Sequence, residues 1–554
     1  MRDGAAGAMN GSGADVIVVG GGHNGLICAA YLARAGIETM LLESRQDVGG
    51  CASTVADLGA RFNICHCDHT MIRALPVVHD LDLASHGLVY LEPDAGNVHL
   101  FHDRSDPWVL FHDTERTLES LAASYPNQVE GYRRYLADAV PVARLVIEMA
   151  RTHPTAPRML ATVARRSGRR AEAARRLVAW SRRSVRDVHA DYFTDWRLAL
   201  PSISTGPTVW GVPPDAPGTG LAALSYATRH LIRTGRPQGG SGALTDAVRA
   251  SFESAGGIVR CGTTVAALLI GDGAVRGVRL TDGSEITAAT VIAACDPHTV
   301  LVDWLDEPPP AARRMIRRWR CRPVADGYES KIDAVLSAPP RFAGIDQLEQ
   351  RHPGVELLGP TAVVSPTPQQ LVEAHRLRAI GEVAERPTLL VNAPSVLDPT
   401  MAPAPGQHIL SLETLFTPYA LRGGWQNSTE PERWLELWGS LAEPGFADTV
   451  DRWRVMTPDR YEREFSMHRG HTPAYAAPPL LTFLGRNREL SRYRTPIAGL
   501  YLSGAGTYPG AGIFGASGRN AATTVIGDLT GPVRRRMHRL RLRAIRTAPR
   551  WLLR

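Results

Sequence analysis

The stretch from Asp15 to Glu43 constrains the fold more than any other. A short apolar strand over residues 15–19 runs straight into Gly20-Gly21-Gly22-His23-Asn24-Gly25. A helical stretch follows to Ala35, stops at Gly36, and gives way to a second strand over 37–42 that ends on Glu43. Strand, glycine turn, helix and strand in that order form the βαβ unit of a doubly wound parallel sheet. In Gly20-x-Gly22-x-x-Gly25 the first glycine permits the tight turn. The second lets a pyrophosphate approach bare backbone, and the third lets helix and strand pack closely. The helix amides and dipole add an anion site, which makes Gly20, Gly22, Asn24 and Gly25 the candidate phosphate contacts. A carboxylate at Glu43 accepts ribose hydroxyls and repels a 2′-phosphate, so the turn predicts a dinucleotide other than NADP.

Further along, residues 113–149 show helical amphipathic spacing (Leu118, Leu121, Tyr132, Tyr135, Leu136, Val140, Leu145). After Pro237-Gln238-Gly239-Gly240 a helix is predicted over 243–255. Strands follow over 263–270, 275–281 and 289–294, separated by Gly271-Asp272-Gly273 and Asp282-Gly283 turns. The region 300–490 is irregular and proline-rich, with mixed signals. A last apolar strand over 499–503 enters a second glycine-rich turn that opens a helix. No internal repeat is visible at a period of about 20–50 residues.

Choosing between FAD and NAD rests on resemblance. Glu43-Ser-Arg45-Gln-Asp-Val-Gly49-Gly50 is similar to the diphosphate-contacting element of FAD oxidoreductases: an acid, a basic residue, then a Gly-Gly pair. Residues 493–522, YRTPIAGLYLSGAGTYPGAGIFGASGRNAA, resemble the closing signature of the phytoene-dehydrogenase-like FAD oxidoreductases. The block PQGGSGALTDAVRASFESAGG with its following strands resembles the same family. The resemblance implies FAD, with Gly504, Gly510, Gly512 and Ile513 passing along the ribityl chain and flavin, and Val265 on the adenine side. It also implies an α/β fold in which a discontinuous Rossmann-like FAD-binding domain (1–75, 236–300 and 495–530) carries an inserted mixed α+β substrate domain (76–235 and 301–494). The basic tail 531–554 follows. The resemblance thins over 300–460, where substrate is expected to bind.

Within that frame Lys331 stands out, as the single lysine among 62 basic residues. Family members have a similar Lys-Ile step. In the distantly similar monoamine oxidases a lysine entering such a strand holds a water at flavin N5, and an ammonium shifts its pKa on burial more readily than a guanidinium does. A plain surface lysine is the alternative. The run Cys65-His66-Cys67-Asp68-His69 is expected, by resemblance, to pass the flavin ring, with His66 on the pocket wall and Asp68 or His69 as acid/base groups. Its spacing does not suit zinc, so no metal is expected, although a covalent flavin link through His or Cys is conceivable. His468, His471 and Trp210 are the remaining pocket candidates. Together these imply an enzyme that desaturates or isomerises a hydrophobic polyene, isoprenoid or polyketide-like substrate, with oxygen or a quinone reoxidising the flavin. Flavin amine oxidation, a redox-neutral cyclase, and a non-catalytic flavin-stabilised interaction protein are the alternatives.

Charge bears on partners. The formal net charge is +7, but residues 151–186 hold eleven arginines against Glu172, and 534–554 hold nine arginines and no acid. Subtracting +10 and +9 from +7 leaves −12 for the remainder. The basic balance therefore belongs to two arms with apolar residues at helical spacing (Met159, Val163, Leu177, Trp180; Met537, Leu540, Trp551). Such arms suit an anionic membrane surface or the acidic body of a second subunit. Nucleic acid is not expected, because no reading module accompanies the charge. Seven cysteines without framework spacing suit a reducing compartment, and no apolar run reaches spanning length. A cytoplasmic protein, peripheral on the inner membrane face, is the expectation.

Overall fold

Val16–Val19 is the central strand of a five-stranded, all-parallel sheet in the order Leu500–Leu502, Thr290–Ala293, Val16–Val19, Thr39–Leu42, Ile258–Arg260. The computed structural model describes residues 14–65, 67–164, 168–204, 212–471 and 487–531. Every residue of the central strand is buried, because both faces of the sheet are covered. Val16 and Val18 pack with helices His23–Arg34, Gly242–Ser254 and Ala516–Thr530. Ile17 and Val19 point the other way, into a core shared with the antiparallel meander Val265–Gly271, Ala274–Leu280, Glu285–Thr287. The sheet thus gathers strands from three distant parts of the chain, and its carboxyl ends open on one crevice.

The region 300–490 that reads as irregular supplies five strands of a second, seven-stranded sheet, ordered Val450–Met456, Glu329–Leu336, His408–Leu415, Leu389–Asn392, Thr361–Ser365, Ala95–Phe101, Trp108–Phe111. All pairings are antiparallel except Thr361–Ser365 with Ala95–Phe101. One face packs Ile332, Ala334 and Leu336 against Trp434 and Trp438 of helix Glu430–Leu441. Alternation sends Glu329, Lys331 and Asp333 to the opposite face, and Glu413, in register with Lys331, joins them.

The first arginine-rich arm folds onto the body of the protein. Met159, Leu177 and Trp180 are buried in the same core as Tyr132 and Tyr135 of helix Val129–Arg151. The apolar stripe expected to meet a membrane therefore faces inward. Arg176 Nη1 lies 2.6 Å from Asp138 and Arg183 Nη1 2.5 Å from Asp191, while Arg170 pairs with Glu148. Each such half-exposed pair contributes under about 1 kcal/mol, and together the three offset three of the arm's ten net positive charges. The tail 534–554 lies outside the described residues. Among the described residues no helix is long and apolar enough to cross a membrane.

Candidate active site

The crevice above the parallel sheet is the mouth of a cavity of about 500 Å³ that runs from the glycine turn to the seven-stranded sheet. At its first end Gly20, Gly22, Asn24 and Gly25 form the wall. A Cβ on Gly25 would sit 1.9 Å from the Gly20 carbonyl oxygen, so only glycine lets the helix start here. A Cβ on Gly22 would meet nothing within 4 Å, so this face of the loop is open to a ligand. The first amides of helix His23–Arg34 carry no side-chain cap. Uncapped amides beside bare backbone form a phosphate cradle.

Glu43 closes the loop from the next strand. Its Oε2 accepts from Gly21 N at 2.6 Å and its Oε1 from Arg45 N at 2.9 Å, leaving lone pairs that face the cavity. Gly49 donates to Gly21 O at 2.9 Å and so clamps the Gly-Gly element behind the turn, with Gly50 on the cavity wall. Arg45 is steered by Ser53 (2.9 Å) and by the Phe465 ring (4.2 Å). Gly504, Gly512 and Ile513 line the opposite wall. His23 donates to the Gly512 carbonyl, and burial lowers its pKa to about 4, so it is neutral near pH 7.

A matching model, flavin-containing amine oxidoreductase, covers residues 25–526 of the chain. The chain belongs to this family. FAD is accordingly its cofactor, and the open Gly22 face, the uncapped amides and Glu43 provide the contacts that a dinucleotide's diphosphate and ribose need. The family's redox chemistry is FAD's own; the chain binds it and shapes the space beside it. Among curated relatives, a Rattus norvegicus protein called pyridine nucleotide-disulfide oxidoreductase domain-containing protein 2 is 28% identical, covering 93% of this chain and 94% of the relative. A limonene dehydrogenase polypeptide of Castellaniella defragrans is also 28% identical, covering 93% and 95%. The lycopene-forming phytoene desaturase of Pseudescherichia vulneris is 26% identical, covering 93% and 99%.

The far end of this flavoenzyme's cavity is polar. Asp68 lines it, but its Oδ1 accepts from Arg236 Nε at 2.7 Å and its Oδ2 from Thr361 Oγ1 at 3.1 Å, both deeply buried. Arg236 also donates to the Gly359 carbonyl. His468 and His471 line the wall beside Tyr328. Burial lowers His471 to about 4, so it too is a neutral imidazole.

Several of the candidate residues stand away from the cavity. His69 is fully buried, with Nδ1 3.1 Å from Tyr90 Oη and Nε2 3.2 Å from Ser241 Oγ, and it ties chain segments together. Val265 packs into the core under the parallel sheet, and Gly510, at φ +125°, shapes the turn behind the lining residues. Lys331 is 1% exposed; its Nζ donates to Asn63 O at 2.5 Å and to Asp333, whose other oxygen holds Arg454 at 2.8 Å. Its ammonium is thus committed to protein acceptors. His66 and Trp210 lie outside the described residues.

Three lining acids escaped the sequence reading, Asp296, Glu329 and Glu413. Burial, then the Glu413 charge, push the Glu329 carboxyl well above the usual carboxylate range, with Lys331 partly opposing. That direction favours the protonated form of Glu329 in the cavity wall, and the Cys65 thiol lies 4.0 Å from its Oε1. An acid whose folded pKa exceeds its unfolded value stabilises below the unfolded value and loses that contribution as pH rises through the folded one. Thermal midpoints compared at about pH 5 and about pH 9 should therefore fall less in Glu329→Gln than in the wild type. An equal fall in both proteins would contradict a protonated Glu329.

Proposed function

We propose that this flavoenzyme dehydrogenates a hydrophobic polyene or isoprenoid-like substrate, with Glu329 and Glu413 handling the proton. The observation that carries the reading is the one cavity that joins the dinucleotide loop to two acids, Glu329 and Glu413, on the seven-stranded sheet. FAD supplies a two-electron acceptor when bound. The chain's part is to hold a C–H bond in the cavity, exclude bulk water and accept the adjacent proton. Glu413 sits in register with Lys331, and its charge reaches Glu329, so a proton arriving at Glu413 enters a polar face. Relatives named limonene dehydrogenase and phytoene desaturase support an isoprenoid substrate. Oxygen or a quinone reoxidises the cofactor.

Mass analysis of polyenes incubated aerobically with the FAD-loaded protein tests this. A product two hydrogens lighter is expected; an isomer of unchanged mass would make the enzyme an isomerase or cyclase. Amine oxidation is the second reading, favoured by the family description and by carboxyl groups in the cavity. Turnover of amines but not of nitrogen-free polyenes would establish it.

The same reading assigns membrane docking to the tail alone, whose nine arginines over 534–554 accompany Trp551, Leu552 and Leu553. Deleting 534–554 is expected to lower binding to anionic vesicles at least ~10-fold while leaving FAD content unchanged. Undiminished vesicle binding would remove that role from the tail.

A further inference from the structure

We propose that the substrate carries a carboxylate and that Arg229 binds it. This rests on the reading of the cavity as the site of a hydrophobic substrate and narrows that substrate's class. Arg229 lies in the last turn of helix Ser225–Leu231 and lines the cavity at the end remote from the glycine turn, with Asn97 and Thr361. Arg229 is half-buried, and that burial lowers its pKa from the ordinary arginine value. Of its five N–H donors one makes a long hydrogen bond, from Nη1 to Thr234 Oγ1 at 3.3 Å. Among the described residues no carboxylate lies within ion-pair distance of it.

The nearest acid is already used. Asp68, whose charge reaches Arg229, is hydrogen-bonded to Arg236 and to Thr361. The charged groups that reach Arg229 are the Asp68 carboxylate and the Arg236 guanidinium, so among these three groups the cations outnumber the anion by one. A half-buried cation that shares its nearest carboxylate with a second guanidinium is better matched when a ligand supplies an anion.

A second observation lies alongside. His99 is two residues past Asn97 on strand Ala95–Phe101 and is 1% exposed; neither ring nitrogen has a hydrogen-bond partner. Burial first, then the Arg229 charge, lower its pKa, so it is neutral. Its ring packs against Trp108 and Tyr226 behind the cavity wall, so Arg229 is the side chain that presents unmatched donors to a polar ligand group. One net positive charge matches a monoanion, and a guanidinium fork matches a carboxylate's two oxygens. A diphosphate brings more charge than this end offsets, and an ammonium is repelled.

Calorimetric titration of the FAD-loaded protein with all-trans-retinoic acid and all-trans-retinol, polyenes that differ in the terminal group, tests the assignment. The wild type should bind the acid on the order of 100-fold more tightly than the alcohol. Arg229→Gln should bring the two within about 3-fold with FAD content unchanged, and Arg229→Lys should restore part of the preference. Equal affinity in the wild type, or a preference retained by Arg229→Gln, overturns the carboxylate assignment and leaves the dehydrogenase reading standing. Binding of neither polyene overturns both.

Discussion

Replacing Lys331 with methionine is expected to lower the stability of the protein by about 3 kcal/mol. The change removes the cation from Asp333, whose side chain is 1% exposed, and leaves a buried carboxylate with Arg454 as its remaining partner. Breaking a buried pair from one side costs about 3–5 kcal/mol, and the retained Arg454 contact places this case at the lower end. Chemical denaturation followed by tryptophan fluorescence measures it. The double variant Lys331→Met/Asp333→Leu should recover part of the loss, because the buried carboxylate is gone and Arg454, which then loses Asp333, keeps Asp57 at 3.1 Å. A single variant as stable as the wild type would contradict the pairing.

The same substitution has a chemical consequence. Lys331 is the cation that restrains the rise in the Glu329 pKa, so its loss holds the Glu329 proton more tightly. Flavin reduction is expected to slow ~10²-fold with FAD still bound. Lys331 is therefore a positioning residue, acting through Glu329 and Asp333.

The second large effect separates two glycines of one turn. Gly22→Ala places a methyl in open space at a position with φ −65°, so the apoprotein should keep its stability within about 0.5 kcal/mol. The methyl nevertheless stands where the diphosphate approaches, and FAD affinity should fall on the order of 100-fold. Gly25→Ala drives its methyl into the Gly20 carbonyl and should destabilise the apoprotein as well. Full FAD content in Gly22→Ala would show that the cofactor does not lie across this loop.

How legible each part was follows from burial. The parallel sheet is covered on both faces, so its strands read as unbroken apolar runs, and the glycine turn between them has few alternative uses. Gly20, Gly22, Asn24, Gly25, Glu43, Arg45, Gly50, Gly504, Gly512 and Ile513 all line the cavity. The second sheet was hidden because its site face carries buried charge. Glu329-Ser-Lys331-Ile-Asp333 alternates as a half-exposed strand does, yet Lys331 and Asp333 neutralise one another out of reach of water. No local pattern distinguishes a solvated polar face from a buried, paired one.

Pairings across the chain were equally silent. Asp68 and Arg236 meet at a separation of 168 residues, and the ion pair turns Asp68 from an acid/base candidate into a fixed part of the wall. His69, one residue later, points away because Tyr90 and Ser241 occupy its ring. The basic first arm read as a docking helix because its apolar stripe is genuine, but that stripe is consumed by the core around Tyr132 and Tyr135.

A net two-electron oxidation of an apolar substrate in this cavity underlies all of these expectations. Anaerobic titration of the FAD-loaded protein with a polyene carboxylate, followed by flavin absorbance, is its sharpest test. Stoichiometric bleaching is predicted, ~10²-fold slower in Glu413→Gln. Binding of the polyene with the flavin spectrum remaining oxidised would contradict it.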